Sequence, residues 1–412
     1  MNGFKYSEAS KGCVDATGFR IAGVHCDVRN KADERLDLAL LISDEPATVA
    51  GVFTRNRVAA APVRLGRDLL SKGGLYRGFV ANSGNANACT GENGMEDAQL
   101  MQAAVATAAG CSPNEVFVCS TGRIGKRLPM ERIVCGIAEA AAKLDDTAEA
   151  GLRAADAILT SDTRRKVCTV EVKTESGSVT IGGMAKGAGM IEPNMATMLA
   201  FICTDAEVAQ ADLQRLLSES VKATFNAVTV DGDESTNDTV LVFANGASGM
   251  KLSPGHPDWS SFKAALSAVC HDLAQKIVGD GEKITKVVEV CIDGAANDTE
   301  AEMAARAIAN SLLVKSSWYG NDPNWGRLMD ALGYSGAAME EDTISIHYAP
   351  LEGDPVPAFI KGTIHEDRLE DWKTIVAAKK FCIQVNLGQG SGSSRVWSTD
   401  LTEGYVNFNK SE

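Results

Sequence analysis

The chain has 412 residues, a formal net charge of -14 and 45% hydrophobic residues. That length can bury a full core in one large or two smaller domains, and the acidic balance excludes the surplus of Lys and Arg that phosphate-backbone binding requires. No apolar run reaches the roughly 18 residues of a membrane helix and the opening MNGFKYSEASKG has no signal-peptide pattern, so a cytoplasmic protein acting on small metabolites is expected, with no nucleic acid or membrane partner.

In chain order, Ala47 to Thr54, Gly78 to Ala81 and Glu115 to Cys119 read as short apolar strands, while Asp97 to Ala109 and Met130 to Lys143 carry helical spacing. Lys186 to Pro193 is too rich in glycine for a helix interior and ends on Pro, which predicts a loop. Met198 to Thr204 then reads as a buried strand. A helix is predicted over Glu207 to Ala223, and strands over Val228 to Val230 and Thr239 to Phe243, either side of the polar turn DGDESTND. A long helix from Trp259 to Val278 leads to GDGE at Gly279 to Glu282, and Thr285 to Ile292 and the alternating Phe381 to Leu387 resume strand character. The mixture predicts an α/β fold of layered sheets and helices in two domains meeting near the middle of the chain, with no internal repeat. The 11 cysteines form no C-x-x-C pair and their odd number argues for reduced thiols, while 5 isolated histidines give no zinc spacing, so no metal is expected.

The most informative segment is KGAGMIEPNMATMLA, Lys186 to Ala200. A threonine hydroxyl is a weak nucleophile, but cutting the Ala196-Thr197 bond would give Thr197 a free amine beside its own hydroxyl. An amino terminus titrates at about 7.7 to 8.0, so near neutrality a usable fraction is basic. Glycines 182, 183, 187 and 189 would let backbone approach closely, or serve an ordinary turn. An oxyanion needs donors, and STGRIG, Ser120 to Gly125, follows a predicted strand directly: Gly122 leaves its N–H unobstructed and Thr121 adds a hydroxyl.

These motifs, together with GVFTRN at Gly51 to Asn56, NSGNANACTG at Asn82 to Gly91, VDGDESTNDT at Val230 to Thr239, GDGE, DPNWGR at Asp322 to Arg327 and DLT followed by YV near the carboxyl end, run through nearly the whole chain in one order. The chain resembles the ornithine acetyltransferases of arginine biosynthesis, also called glutamate N-acetyltransferases. The resemblance implies a self-processing fold with the nucleophile at a strand edge. It implies cleavage into α (Met1 to Ala196) and β (Thr197 to Glu412) chains held in an α2β2 assembly. It further implies ping-pong transfer of acetyl from N2-acetylornithine to glutamate through an ester on Thr197. Oxyanion donors would be Thr121 and Gly122; substrate contacts would be Thr160, Lys186, Thr197, Glu282 and Asn409. On charge, Lys186 suits a carboxylate and Glu282 an ammonium. No cofactor is implied, and acetyl-CoA stays open as an additional donor.

Two positions depart from the family pattern. Arg123 stands where valine is usual, and the chain stops three residues after Asn409, so a terminal Ser or Thr contact is missing or replaced by Ser411 or the terminal carboxylate. DGDESTND lacks the Gly and Glu of a calcium loop, so Asp231, Asp233 and Asn237 are expected to organise a turn through backbone hydrogen bonds. GQGSG at Gly388 to Gly392 is not a dinucleotide fingerprint. NSGNANAC suggests a specially shaped loop, either near the site or purely structural. Two other functions stay open: an amidohydrolase or peptidase with water as acceptor, and an uncleaved structural or regulatory protein.

Overall fold

The computed structural model describes residues 3–31, 33–174, 177–192 and 198–411. The proposed cleavage pair, Ala196 and Thr197, lies outside the described residues, as do the Ser411 side chain and Glu412. The chain forms two compact units, residues 1–226 with 233–277, and residues 227–232 with 278–412. Among the described residues no helix is long and apolar enough to cross a membrane.

Among the described residues the first unit contains eleven strands: β1 (Phe4–Tyr6), β2 (Phe19–Val24), β3 (Leu38–Phe53), β4 (Tyr76–Asn85), β5 (Val116–Arg123), β6 (Lys166–Thr174), β7 (Gly177–Lys186), β8 (Leu199–Thr204), β9 (Glu207–Val208), β10 (Thr239–Ala244) and β11 (Lys251–Leu252). Its helices are α1 (Ala61–Lys72), α2 (Gly91–Ala109), α3 (Met130–Ala142), α4 (Ala148–Ala157), α5 (Gln210–Ala223) and α6 (Trp259–Val278). Strand order is β1-β6-β7-β8-β10-β3-β4-β5, with β2 also on β3. The 16-residue β3 joins two layers, because its first half pairs with β2 and β4 and its second half with β10.

Alternation along the strands decides what each layer faces. Leu38, Leu40, Val80 and Val118 point to one side, where they pack with Met101 and Val105 of α2 and Ile133 and Ile137 of α3. Leu41, Phe79 and Phe117 point to the other, where they meet Met184, Phe201 and Phe243. Phe79 and Phe201 stack there at 3.8 Å with ring planes 9° apart. This inner core fixes the two layers face to face, and a functional group at their common end is held by both.

Several predicted boundaries move. Lys186 closes β7 instead of opening a loop, because its ladder with β8 runs on to the pair Lys186↔Leu199. Gly182 and Gly183 are strand residues, and a Cβ on Gly182 would stand 2.2 Å from the Gly12 carbonyl oxygen, so this glycine serves close packing. Helix α2 starts at Gly91, earlier than predicted; its Gly94 admits the side chains of Thr90 and Asn87, which a Cβ would meet at 1.9 and 2.6 Å. Glu207 and Val208 pair with β11 rather than starting a helix. Val228 makes one isolated bridge to Trp397, so Val228 to Val230 is not a strand.

The second unit has a six-stranded sheet of β12 (Val287–Ala295), β13 (Ser345–Pro350), β14 (Val356–Ile360), β15 (Thr363–Ile364), β16 (Lys380–Asn386) and β17 (Gly392–Thr399), in the order β15-β14-β13-β16-β12-β17. Helices α7 (Asp298–Asn310), α8 (Leu312–Tyr319), α9 (Trp325–Gly333) and α10 (Leu369–Ala377) contribute Ile308, Trp318, Leu328 and Trp372 to its core. A last helix, α11 (Glu403–Phe408), precedes Asn409. Both units mix strands with helices, as expected of an α/β fold.

Candidate functional site

At one end of the first unit's sheet the register brings three predicted segments together. Lys186 pairs with Leu199, and Leu199 pairs in parallel with Thr239. Leu199 is the second residue after Thr197 in the chain. The carboxyl end of β5 in the other layer supplies Thr121 and Gly122. Lys186 Nζ donates to Thr121 Oγ1 at 3.3 Å, and both residues are buried. An ammonium can only donate, so the Thr121 hydroxyl accepts here and keeps its own hydrogen for another acceptor. That is the state an oxyanion donor needs.

Gly122 sits at φ +131°, and a Cβ there would lie 2.3 Å from the Gly84 carbonyl carbon and 2.5 Å from the Asn85 nitrogen. Only glycine fits between β5 and β4 at this point. NSGNANAC is the scaffold beneath it. Asn82 accepts from Ser120 Oγ at 2.6 Å and donates to the Asn85 carbonyl, and Asn85 donates to the Arg127 carbonyl. Arg123 is exposed, and its carbonyl receives Ala86 N–H at 2.9 Å.

Asn237 bonds within its own polar turn, its N–H donating to Ser235 Oγ at 3.1 Å, and it also reaches beyond that turn. Its Nδ2 donates to the carbonyls of Ala86 at 2.6 Å and Ser120 at 2.8 Å, reaching 151 and 117 residues back along the chain. The side chain thereby ties the start of β10 to the end of β5.

Two buried carboxylates absent from the sequence reading flank Lys186. Asp162 has a fully buried side chain. Its Oδ1 accepts from Lys166 Nζ at 2.6 Å and Gly187 N at 2.7 Å. Its Oδ2 accepts from Thr160 N at 3.1 Å and stands 4.0 Å from Lys186 Nζ. Burial acts to raise this carboxyl, but the ammonium groups of Lys186 and Lys166 and the Gly187 N–H outweigh it and hold the group down to about 2. Thr160, whose carbonyl accepts from Arg35, thus joins Lys186 and Thr121 through Asp162.

Asp238 accepts Met198 N–H at 2.7 Å through Oδ1, while Oδ2 is buried without a hydrogen-bond partner among the described residues. Complete burial pushes its carboxyl well above the usual range, against the Met198 bond and the Lys186 charge. A folded state that holds this proton while the unfolded chain releases it loses stability as pH rises through the folded pKa. Asp238→Asn is therefore expected to raise the melting temperature at neutral pH over wild type in the same cleavage state. That gain should vanish below the ordinary carboxylate range. Thermal melts across pH check it; equal melting temperatures at neutral pH would refute the assignment.

In the second unit Asn409 Nδ2 donates to Glu282 Oε2 at 3.0 Å. Thr402, in the DLT motif, caps α11 by accepting Tyr405 N–H and donates to the Lys283 carbonyl at 2.8 Å. Tyr405 donates its hydroxyl to Asp231 at 3.1 Å, and Lys283 Nζ lies 5.1 Å from the Phe408 ring centre. These contacts explain why GDGE and the carboxyl-terminal motif belong together. Thr121, Gly122, Thr160 and Lys186 thus form one group and Glu282 and Asn409 a second, each within its own unit. The signal that could have revealed Asp162 and Asp238 was their place inside the motifs ILTSDT and ESTNDT.

The ArgJ family model matches residues 20–411. The arginine biosynthesis bifunctional protein ArgJ of Shouchella clausii is 44% identical over 404 residues, covering 97% of this chain and 95% of that protein. The ArgJ protein of Geobacter sulfurreducens is 45% identical over 400 residues, covering 96% and 99%. Among solved structures, an ornithine acetyltransferase of Mycobacterium tuberculosis complexed with ornithine matches with TM-score 0.42 and 39% identity, over 46% of this chain and 98% of that one.

Proposed function

This chain belongs to the ArgJ family of acetyltransferases of arginine biosynthesis, and from that premise we propose that it moves acetyl from N2-acetylornithine to glutamate through an ester on Thr197, after cutting itself between Ala196 and Thr197. The Thr197 amine takes the hydroxyl proton as Oγ attacks the acetyl carbonyl. Thr121 O–H and Gly122 N–H receive the oxyanion; ornithine then leaves with the proton on its amine. Glutamate's amine attacks the ester next, regenerating the hydroxyl. Lys186 meets a substrate carboxylate and Glu282, with Asn409, an ammonium. The two fragments act as an α2β2 assembly, and acetyl-CoA is a second donor to be assayed.

The observation that supports this reading best is the Lys186 to Thr121 bond, which leaves a buried hydroxyl free to donate at the sheet end from which the chain leads back to Thr197. Denaturing mass analysis should find two fragments meeting at Ala196 and Thr197, in protein that forms acetylglutamate from acetylornithine plus glutamate. Acetate release independent of glutamate would replace it with the hydrolase reading, and an uncut chain in active protein would overturn it.

A further inference from the structure

We infer that Asp162 is a positioning residue for acyl transfer: its buried carboxylate holds the Lys186 ammonium against Thr121 Oγ1, and so keeps the Thr121 hydrogen aimed at the oxyanion. The inference rests on the reading that Thr121 is an oxyanion donor. Asp162 joins three separate segments, the residues after α4 through Thr160 N, the first residue of β6 through Lys166, and the end of β7 through Gly187 N and Lys186. A carboxylate that only balanced a buried charge would need Lys166 alone. Asp162 instead stands between two ammonium groups, and the more distant of them, at 4.0 Å, is the one bonded to Thr121.

The distances divide the work. Lys166 at 2.6 Å is the tight ion pair that lets Asp162 stay charged without water. Lys186 is attracted without being captured, so its donors still serve Thr121. Without the Asp162 charge the pull that sets the direction of the Lys186 ammonium is lost. Lys186 then turns from Thr121, and the hydroxyl is free to point its hydrogen elsewhere. The loss at the oxyanion appears when negative charge develops on the acetyl oxygen and falls on kcat, while the Lys186 contact with the substrate carboxylate adds a rise in KM.

Asp162→Asn alone takes the close carboxylate from the buried Lys166 ammonium, which threatens folding. The working variant is therefore Asp162→Asn with Lys166→Met, which removes one charge of each sign. In that protein, counted per site by the burst of ornithine, kcat is expected to fall on the order of 10-fold or more, with a smaller rise in KM. The alkaline limb of kcat/KM should move to lower pH, because Lys186 loses the carboxylate that favours its ammonium form. Asp162→Glu keeps the charge and the fold but displaces the carboxylate. It should lower kcat while leaving the alkaline limb in place. Amine labelling of Lys186, read by peptide mass against pH, follows the same ammonium without any turnover, and its midpoint should drop in the double variant. Wild-type kcat and pH profile in the folded double variant, or in Asp162→Glu an unchanged kcat, would overturn the positioning role. Wild type that transfers no acetyl would overturn the function instead, and an unmoved labelling midpoint would then overturn this inference separately.

Discussion

Replacing Thr197 with alanine is expected to leave one uncut chain of 43.4 kDa with no detectable acetyl transfer. The alanine has no hydroxyl to attack the preceding carbonyl, so the bond survives; with the bond intact there is no terminal amine to act as base. Nucleophile and base disappear together, and the effects of residues acting as a unit do not add. The loss in kcat should be on the order of 10⁴-fold or greater, with the remainder due to binding and the oxyanion donors. Stability should change little for so small a truncation. Thr197→Ser separates the two roles, since it keeps a hydroxyl and should still be cut and still turn over, more slowly. Mass analysis and a transfer assay on the same preparations decide it, and a cleaved or active alanine variant would refute the nucleophile.

Gly122→Ala should damage both fold and chemistry. A methyl group must either enter the space of the Gly84 backbone or push β5 away from β4, and φ +131° is a conformation alanine adopts only under strain. A backbone clash has no rotamer escape, so a cost of about 2–4 kcal/mol is expected. Protein that still folds will have its residue 122 N–H displaced, and losing one oxyanion donor costs on the order of 10²–10³ in kcat. Denaturant unfolding and steady-state kinetics on cleaved protein measure the two losses independently. Unchanged kcat in a destabilised variant would confine Gly122 to packing.

Much of the fold could be read from periodicity where one pattern ran long enough. Helix α6 has the predicted limits, Trp259–Val278, because its apolar face recurs over twenty residues. The strands that misled are short or bent: Val228 makes an isolated bridge, and Glu207 with Val208 forms a two-residue strand that pairs with β11. Such pairings are decided by a distant segment, and local spacing carries no record of them. The site shows the same division. Thr121, Gly122 and Lys186 could be found in motifs because each carries chemistry that its residue type announces. The roles of Asp162 and Asn237 could not, even though both residues sit inside motifs, since those roles depend on partners such as Gly187 and Ser120 that only the folded register brings near.

Strand β8 is bonded on both flanks, to β7 along Leu199–Thr204 and to β10 over the same six residues. With the proposed cut lying between β7 and β8, one fragment would contribute β7 and the other both β8 and β10 to a continuous ladder. Dilution alone could not part them, because separation would expose the whole inner core. Denaturation is another matter. Once unfolded, the halves would meet again only by collision, so recovery should depend on protein concentration, whereas the uncut alanine variant refolds as a single molecule.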